Sequence, residues 1–72
     1  MASYNYDIRI EDVLIAQAIG KLTKRKQDII LLSFFLSMTN ADIATLMELA
    51  EGTVHYHKTN ALKELKELME EH

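Results

Sequence analysis

The 72-residue chain has no cysteine, no proline and no tryptophan, only two glycines, and aromatic residues at 7%. Without cysteine there is neither a disulfide framework nor a thiolate metal site. Without proline, and with few apolar/polar alternations, little interrupts a helix and little favours a strand. No run approaches the roughly 20 uninterrupted apolar residues of a membrane span, and no basic, apolar and small-residue leader opens the chain. The expectation is a cytoplasmic protein with no membrane partner. Positive charge is scarce as well: eight Lys and Arg stand against eleven Asp and Glu, a formal charge of −3. A self-sufficient DNA binder usually carries a basic face, because phosphate neutralisation supplies most of its non-specific affinity.

What is present is apolar surface, at 49% of residues. The length suits one domain, near the lower size at which a single core suffices without staples. Periodicity predicts an all-α fold, a compact four-helix domain over residues 1–72, with residues 1–8 as a flexible arm. A first helix over residues 10–22 places Val13, Leu14, Ala18, Ile19 and Leu22 on one broad stripe. Thr23 reads as the N-cap of a second helix, from residue 24 to about 36, which is apolar from Ile29 to Leu36 at every position except Ser33. One stripe cannot hold all of these, so Leu31, Phe35 and Leu36 are candidates for a protein interface.

The most informative stretch is MTNADIATLMELAEGTVHYHKTNALKEL, residues 38–65. Thr39 is a good N-cap, with Asp42 placed to complete a short capping box. Ile43, Ala44, Leu46 and Met47 then mark one buried helical face. After Leu49 the run Ala50, Glu51, Gly52 and Thr53 holds the only glycine of the region, and Val54, Ala61, Leu62 and Leu65 resume the stripe from about Gly52 onward. Two helices joined by three or four residues form a helix-turn-helix, which presents its second helix to a DNA major groove. The predicted core is Val13, Leu14, Ile19, Leu22, Ile29, Leu32, Ile43, Leu46, Val54, Ala61 and Leu65.

The side of the last helix away from Val54, Ala61 and Leu62 supplies candidate DNA contacts, Thr53, His55, Tyr56 and Thr59, to which the cations Lys58 and Lys63 of the same helix are added. Arg25, in the cluster with Lys24 and Lys26, is a candidate phosphate contact. The competing reading of all of these is a solvated face. Because histidine ordinarily titrates near pH 6.5, His55 and His57 are expected to strengthen phosphate contacts as pH falls. They do not read as a metal pair, since i, i+2 residues on a helix point apart and no third ligand is suitably spaced. No cofactor is expected. Neither is catalysis: there is no recognisable Ser, His and acid arrangement and no glycine-rich phosphate loop, and a small bundle leaves little room for a pocket.

From about Val13 to Leu68 the chain resembles region 4 of bacterial sigma factors. VLIAQAIGKLTKRKQDIILLSFF is similar to that family's opening helix, its Leu-Pro/Thr-x-Arg break and its second helix, and MTNADIATLMELAEGTVHYH to its helix-turn-helix. The step Glu51, Gly52, Thr53, Val54 is the most specific part. LuxR-type output domains share Leu22, Thr23, Arg25, Thr53, Val54, His57 and Asn60. They need a further helix after the recognition helix, for which too little chain follows Leu68, whereas region 4 needs the helix before Thr23 that is present. The sigma-like resemblance implies a transcription regulator that reads the promoter −35 element together with RNA polymerase, docking on the flap of the polymerase β subunit. Ser33, Leu36 and Lys58 depart from the family pattern, and the basic surface is thin. The alternative is therefore a protein-interaction module that keeps the helix-turn-helix shape, binding polymerase or forming a homodimer, with little DNA affinity of its own.

Overall fold

A computed structural model describes residues 9–70, and the arm expected over residues 1–8 lies outside them. Four helices follow in order: α1 (Ile10–Gly20), α2 (Lys24–Ile30), α3 (Asn40–Met47) and α4 (Glu51–Glu70), and α2 continues directly into a π-helical turn, Leu31–Phe35. No strand occurs among the described residues.

The helix starts follow from local chemistry. The Arg9 N–H donates to the Asp12 carboxylate at 3.1 Å, which satisfies one of the amides left over at the head of α1. The Thr23 hydroxyl accepts from the Lys26 N–H at 3.4 Å and the Thr39 hydroxyl from the Asp42 N–H at 3.1 Å, so both threonines cap as their positions predict. At the tail of α1 the Gln27 side chain donates to the Gly20 carbonyl at 3.2 Å, tying the first helix to the second.

The end of α2 is unusual. The Leu36 N–H reaches the Leu31 carbonyl at 3.3 Å and the Met38 N–H reaches the Leu32 carbonyl at 3.0 Å, five and six residues back instead of four. Ser37 then turns the chain in a left-handed conformation, φ 54°. Widening the helix rotates the residues beyond Ile30 away from the register of an ordinary α-helix. Leu31 and Phe35 consequently share one exposed side, while Phe34 lies against α4.

Two apolar clusters hold the helices together. Ile29, Ile43, Ala44 and Val54 form the first, flanked by Leu32, Met38, Met47 and Leu49. Leu22, Ile30 and Ala61 form the second, flanked by Ile19 and Leu65. Adjacent residues of α2 thus serve different clusters, and α4 reaches both through Val54 and Ala61, seven residues and two turns apart. An ion pair between Lys26 and Glu64 adds a polar tie between α2 and α4.

The predicted core is corrected at two places. Leu46 is 60% exposed and Val13 40%. On α3 the buried arc runs through Ile43, Ala44 and Met47, and residue 46 falls outside it at 100° per residue. On α1 the buried residue is Ala18, and Val13, five residues earlier, is turned well away from it at 100° per residue. The whole is thin, 16 Å in its shortest dimension, against about 10–12 Å for a single helix with its side chains. Large apolar side chains therefore remain at the surface.

Candidate nucleic-acid interface

The turn between α3 and α4 is three residues long. Glu48 adopts a left-handed conformation, φ 56°, and the Leu49 N–H reaches back to the Ala44 carbonyl at 2.9 Å. This is the hydrogen bond of a Schellman motif, and Leu49 adds the apolar contact with the first cluster that often accompanies it. The chain is thereby fixed where it enters α4. Ala50 accepts through its carbonyl from the Thr53 and Val54 amides, at 3.0 and 3.1 Å. Its side chain offers no acceptor, so the leading amides of α4 are left to solvent or to an anion.

With Val54 and Ala61 buried, the outward side of α4 carries Gly52, His55, Tyr56, Thr59, Lys63 and Lys66, all exposed. Thr53 and Asn60 are half-buried on one flank. A polar groove of about 360 Å³ follows that flank, lined by Lys26, Tyr56, Asn60, Lys63, Glu64 and Glu67.

Two side chains expected to contact DNA lie off the outward side. Lys58 is half-buried, its ammonium 5.3 Å from the centre of the Phe34 ring, a cation–π contact. His57, which was expected to join His55 at the phosphates, is half-buried, with its Nδ1 enclosed and without a hydrogen-bond partner among the described residues. Its ring meets Tyr56 edge-on, centroids 5.6 Å apart and planes at 67°. The reason is helical register: residues 54, 57, 58 and 61 share one side of α4.

The cations are similarly divided. Lys24 pairs with Asp28 at 2.7 Å and Lys26 with Glu64, while Arg25 is exposed and takes part in no ion pair among the described residues. The N-terminal half of the outward stripe accordingly carries no Lys or Arg and one carboxylate, Glu51, and in its C-terminal half Lys63 and Lys66 stand beside the exposed Glu67 and Glu70. Among the described residues no group of three or more His, Asp or Glu is placed to hold a metal ion, and no helix is long and apolar enough to cross a membrane.

A second surface lies on α1 and the π-helical turn. Leu31, Phe35 and Leu36 are 42%, 67% and 67% exposed. A groove of about 510 Å³, mostly apolar, is lined by Asp12, Ile15, Ala16, Ile19, Leu31 and Phe35. Leu31 also borders a smaller groove of about 320 Å³ with Asp28, Leu32, Leu46 and Met47. Leu46, missing from the core, is found here.

A short helix, a three-residue turn fixed by a left-handed residue and a long helix with an unpacked outer stripe define a helix-turn-helix domain in an all-α fold. The profile of the family described as Sigma-70, region 4 matches residues 12–65, more than half of the chain, and the chain belongs to that family. The family is a non-enzymatic, DNA-binding domain of transcription, whose members interact in general with DNA and RNA polymerase. A comparison with curated proteins finds no match.

Proposed function

We propose that this chain reads promoter DNA through the outward stripe of α4 while held on RNA polymerase through the apolar grooves around Leu31. The observation that carries the reading is the separation of the two surfaces. His55, Tyr56, Thr59 and Lys63 stand on α4, and Leu31 and Phe35 stand on the π-helical turn with Leu36 just after it, so one molecule has room for both partners. In the major groove the N-terminal end of α4 meets base edges, with Thr53 and the leading amides set for a phosphate. Lys63, and Arg25 from α2, add phosphate contacts. On the family's pattern, the grooves accept the flap of the polymerase β subunit in the cytoplasm.

The thin basic surface fits this division of labour. A tethered domain works at a high local concentration, which substitutes for intrinsic affinity. Few phosphate contacts also mean a shallow salt dependence, since each contributes about 0.9 to the log–log slope. Mobility shift of a promoter duplex by core polymerase, with and without the chain, tests the reading. The expected result is a shift that needs both proteins and is lost in His55→Ala/Lys63→Ala.

A second reading is favoured by one specific observation, the engagement of Lys24, Lys26 and Lys58 within the fold. It makes the chain a protein-interaction module with little DNA binding. Polymerase binding that survives His55→Ala/Lys63→Ala, with no change in DNA occupancy, is the outcome that favours it.

A further inference from the structure

We propose that the residues just before α1 fold back along it and lay Tyr4 and Tyr6 in the apolar groove between α1 and the π-helical turn, closing in cis the surface assigned above to polymerase. The docking stands apart from any role of α4, and only its effect on polymerase rests on the proposed function.

The groove and the segment match in chemistry. Ile15, Ala16, Ile19, Leu31 and Phe35 make the lining apolar, and Asp12 alone is polar, at the end nearest the start of α1. Such a groove suits a side chain with an apolar body and a polar tip, which describes tyrosine. Two of the chain's three tyrosines stand just before α1, in the run Ser3, Tyr4, Asn5, Tyr6, Asp7, Ile8, which alternates polar and apolar residues throughout. In an extended chain successive side chains point to opposite sides, so Tyr4, Tyr6 and Ile8 share one side and Ser3, Asn5 and Asp7 the other. Tyr and Ile favour extended backbone, while Ser, Asn and Asp compete with a helix for its hydrogen bonds. Arg9, where the description begins, is already extended, φ −90° and ψ 158°.

Reach and register agree with this. From Arg9 the level of Ile19 lies about 15 Å along α1 at roughly 1.5 Å per residue, and the five residues back to Tyr4 span about 16 Å when extended. With two residues given to the reversal, Tyr6 falls beside Asp12 and Tyr4 beside Ile15 and Ala16. The Asp12 carboxylate accepts from the Arg9 N–H through one oxygen, which leaves the other as an acceptor for the Tyr6 hydroxyl. Attachment next to the groove also gives this segment an effective concentration of the order of millimolar, which a second copy of the chain has to match from solution.

The test is NMR of the full chain, isotope-labelled, dilute and without a partner. Nuclear Overhauser contacts from the Tyr4 and Tyr6 rings to the methyl groups of Ile15, Ile19 and Leu31 are the expected result. Tyr4→Ser/Tyr6→Ser should abolish them and shift those methyl signals, with unchanged helix content. Absence of the contacts in wild type, or methyl signals that ignore the double variant, overturns the inference. Contacts found only between labelled and unlabelled copies in a mixed sample also overturn it, in favour of two molecules exchanging these segments. Purified core polymerase then reads the consequence. A groove covered about nine-tenths of the time weakens binding about tenfold, so the double variant should bind polymerase about tenfold more tightly than wild type. Equal affinity of the two chains, with the contacts present in wild type, would overturn the closure and remove this groove from the polymerase contact, while the docking in cis stands.

Discussion

The Lys58 ammonium lies 5.3 Å from the centre of the Phe34 ring, which joins α4 to the π-helical turn Leu31–Phe35. Lys58 thus spends its charge inside the domain. Phe34→Leu keeps an apolar side chain but removes the aromatic face, and should cost about 0.5–1 kcal/mol, the usual worth of such a contact at an exposed site. Urea denaturation of wild type, Phe34→Leu, Lys58→Met and the double variant measures the coupling. Strict additivity of the two single effects would show that the contact contributes nothing.

Ile43 and Leu46 are three residues apart on α3, the first fully buried and the second 60% exposed. Ile43→Ala should lose about 2–5 kcal/mol through lost burial and the cavity left behind. Leu46→Ala should stay within about 0.5 kcal/mol of wild type, as surface substitutions usually do. Reversed denaturation midpoints would place the register of α3 one face away from that described.

Glu48 holds a left-handed conformation at φ 56°, which costs an L-residue roughly 1–2 kcal/mol. Glu48→Gly should therefore raise stability, by less than that amount because glycine also loosens the unfolded chain. Gly52 is the converse case: its φ is not positive, and a Cβ there would meet nothing within 4 Å. Gly52→Ala should stabilise the fold by about 0.5 kcal/mol. If the open backbone at Gly52 serves close approach of a phosphate, the same variant should bind DNA more weakly. Thermal melting reads the first effect and DNA titration the second.

Much of this architecture was legible in the sequence because it is local. Thr23 and Thr39 cap as hydroxyl residues before apolar stripes should, and Ile29, Ile43, Val54 and Ala61 recur at helical spacing. Three things were not legible. Ile29 to Leu36 is apolar almost throughout, so its pattern carries no signal for a change from α to π winding. Glu48 is a poor marker of a left-handed turn, which glycine normally announces. The placement of Lys58 depends on Phe34, and that of Lys26 on Glu64, far off in sequence. On α4 the exposure of His55, Tyr56 and Thr59 followed from counting around the helix, which also put the half-buried Thr53 outward, whereas His57 needed the burial of the neighbouring turn.

Phe35 and Leu36 are each 67% exposed, so charge at these positions should leave the fold intact. Phe35→Asp and Leu36→Asp should keep wild-type helix content and melting within a few degrees while abolishing capture by purified core RNA polymerase. Undiminished capture would remove the π-helical turn from the polymerase contact. Sedimentation of the wild type as a dimer, converted to monomer by Phe35→Asp, would assign the surface to self-association.

The central claim is that α4 presents its outward stripe to duplex DNA. Amide chemical-shift mapping of the labelled chain tests it most directly, using promoter duplex at low salt, where even non-specific affinity of about 10⁻⁴ M is visible. The account predicts perturbations concentrated at residues 51–67, strongest at Thr53, His55, Tyr56, Thr59 and Lys63. Perturbation centred instead on Leu31, Phe35 and Leu36, or none at all with polymerase present, would contradict it.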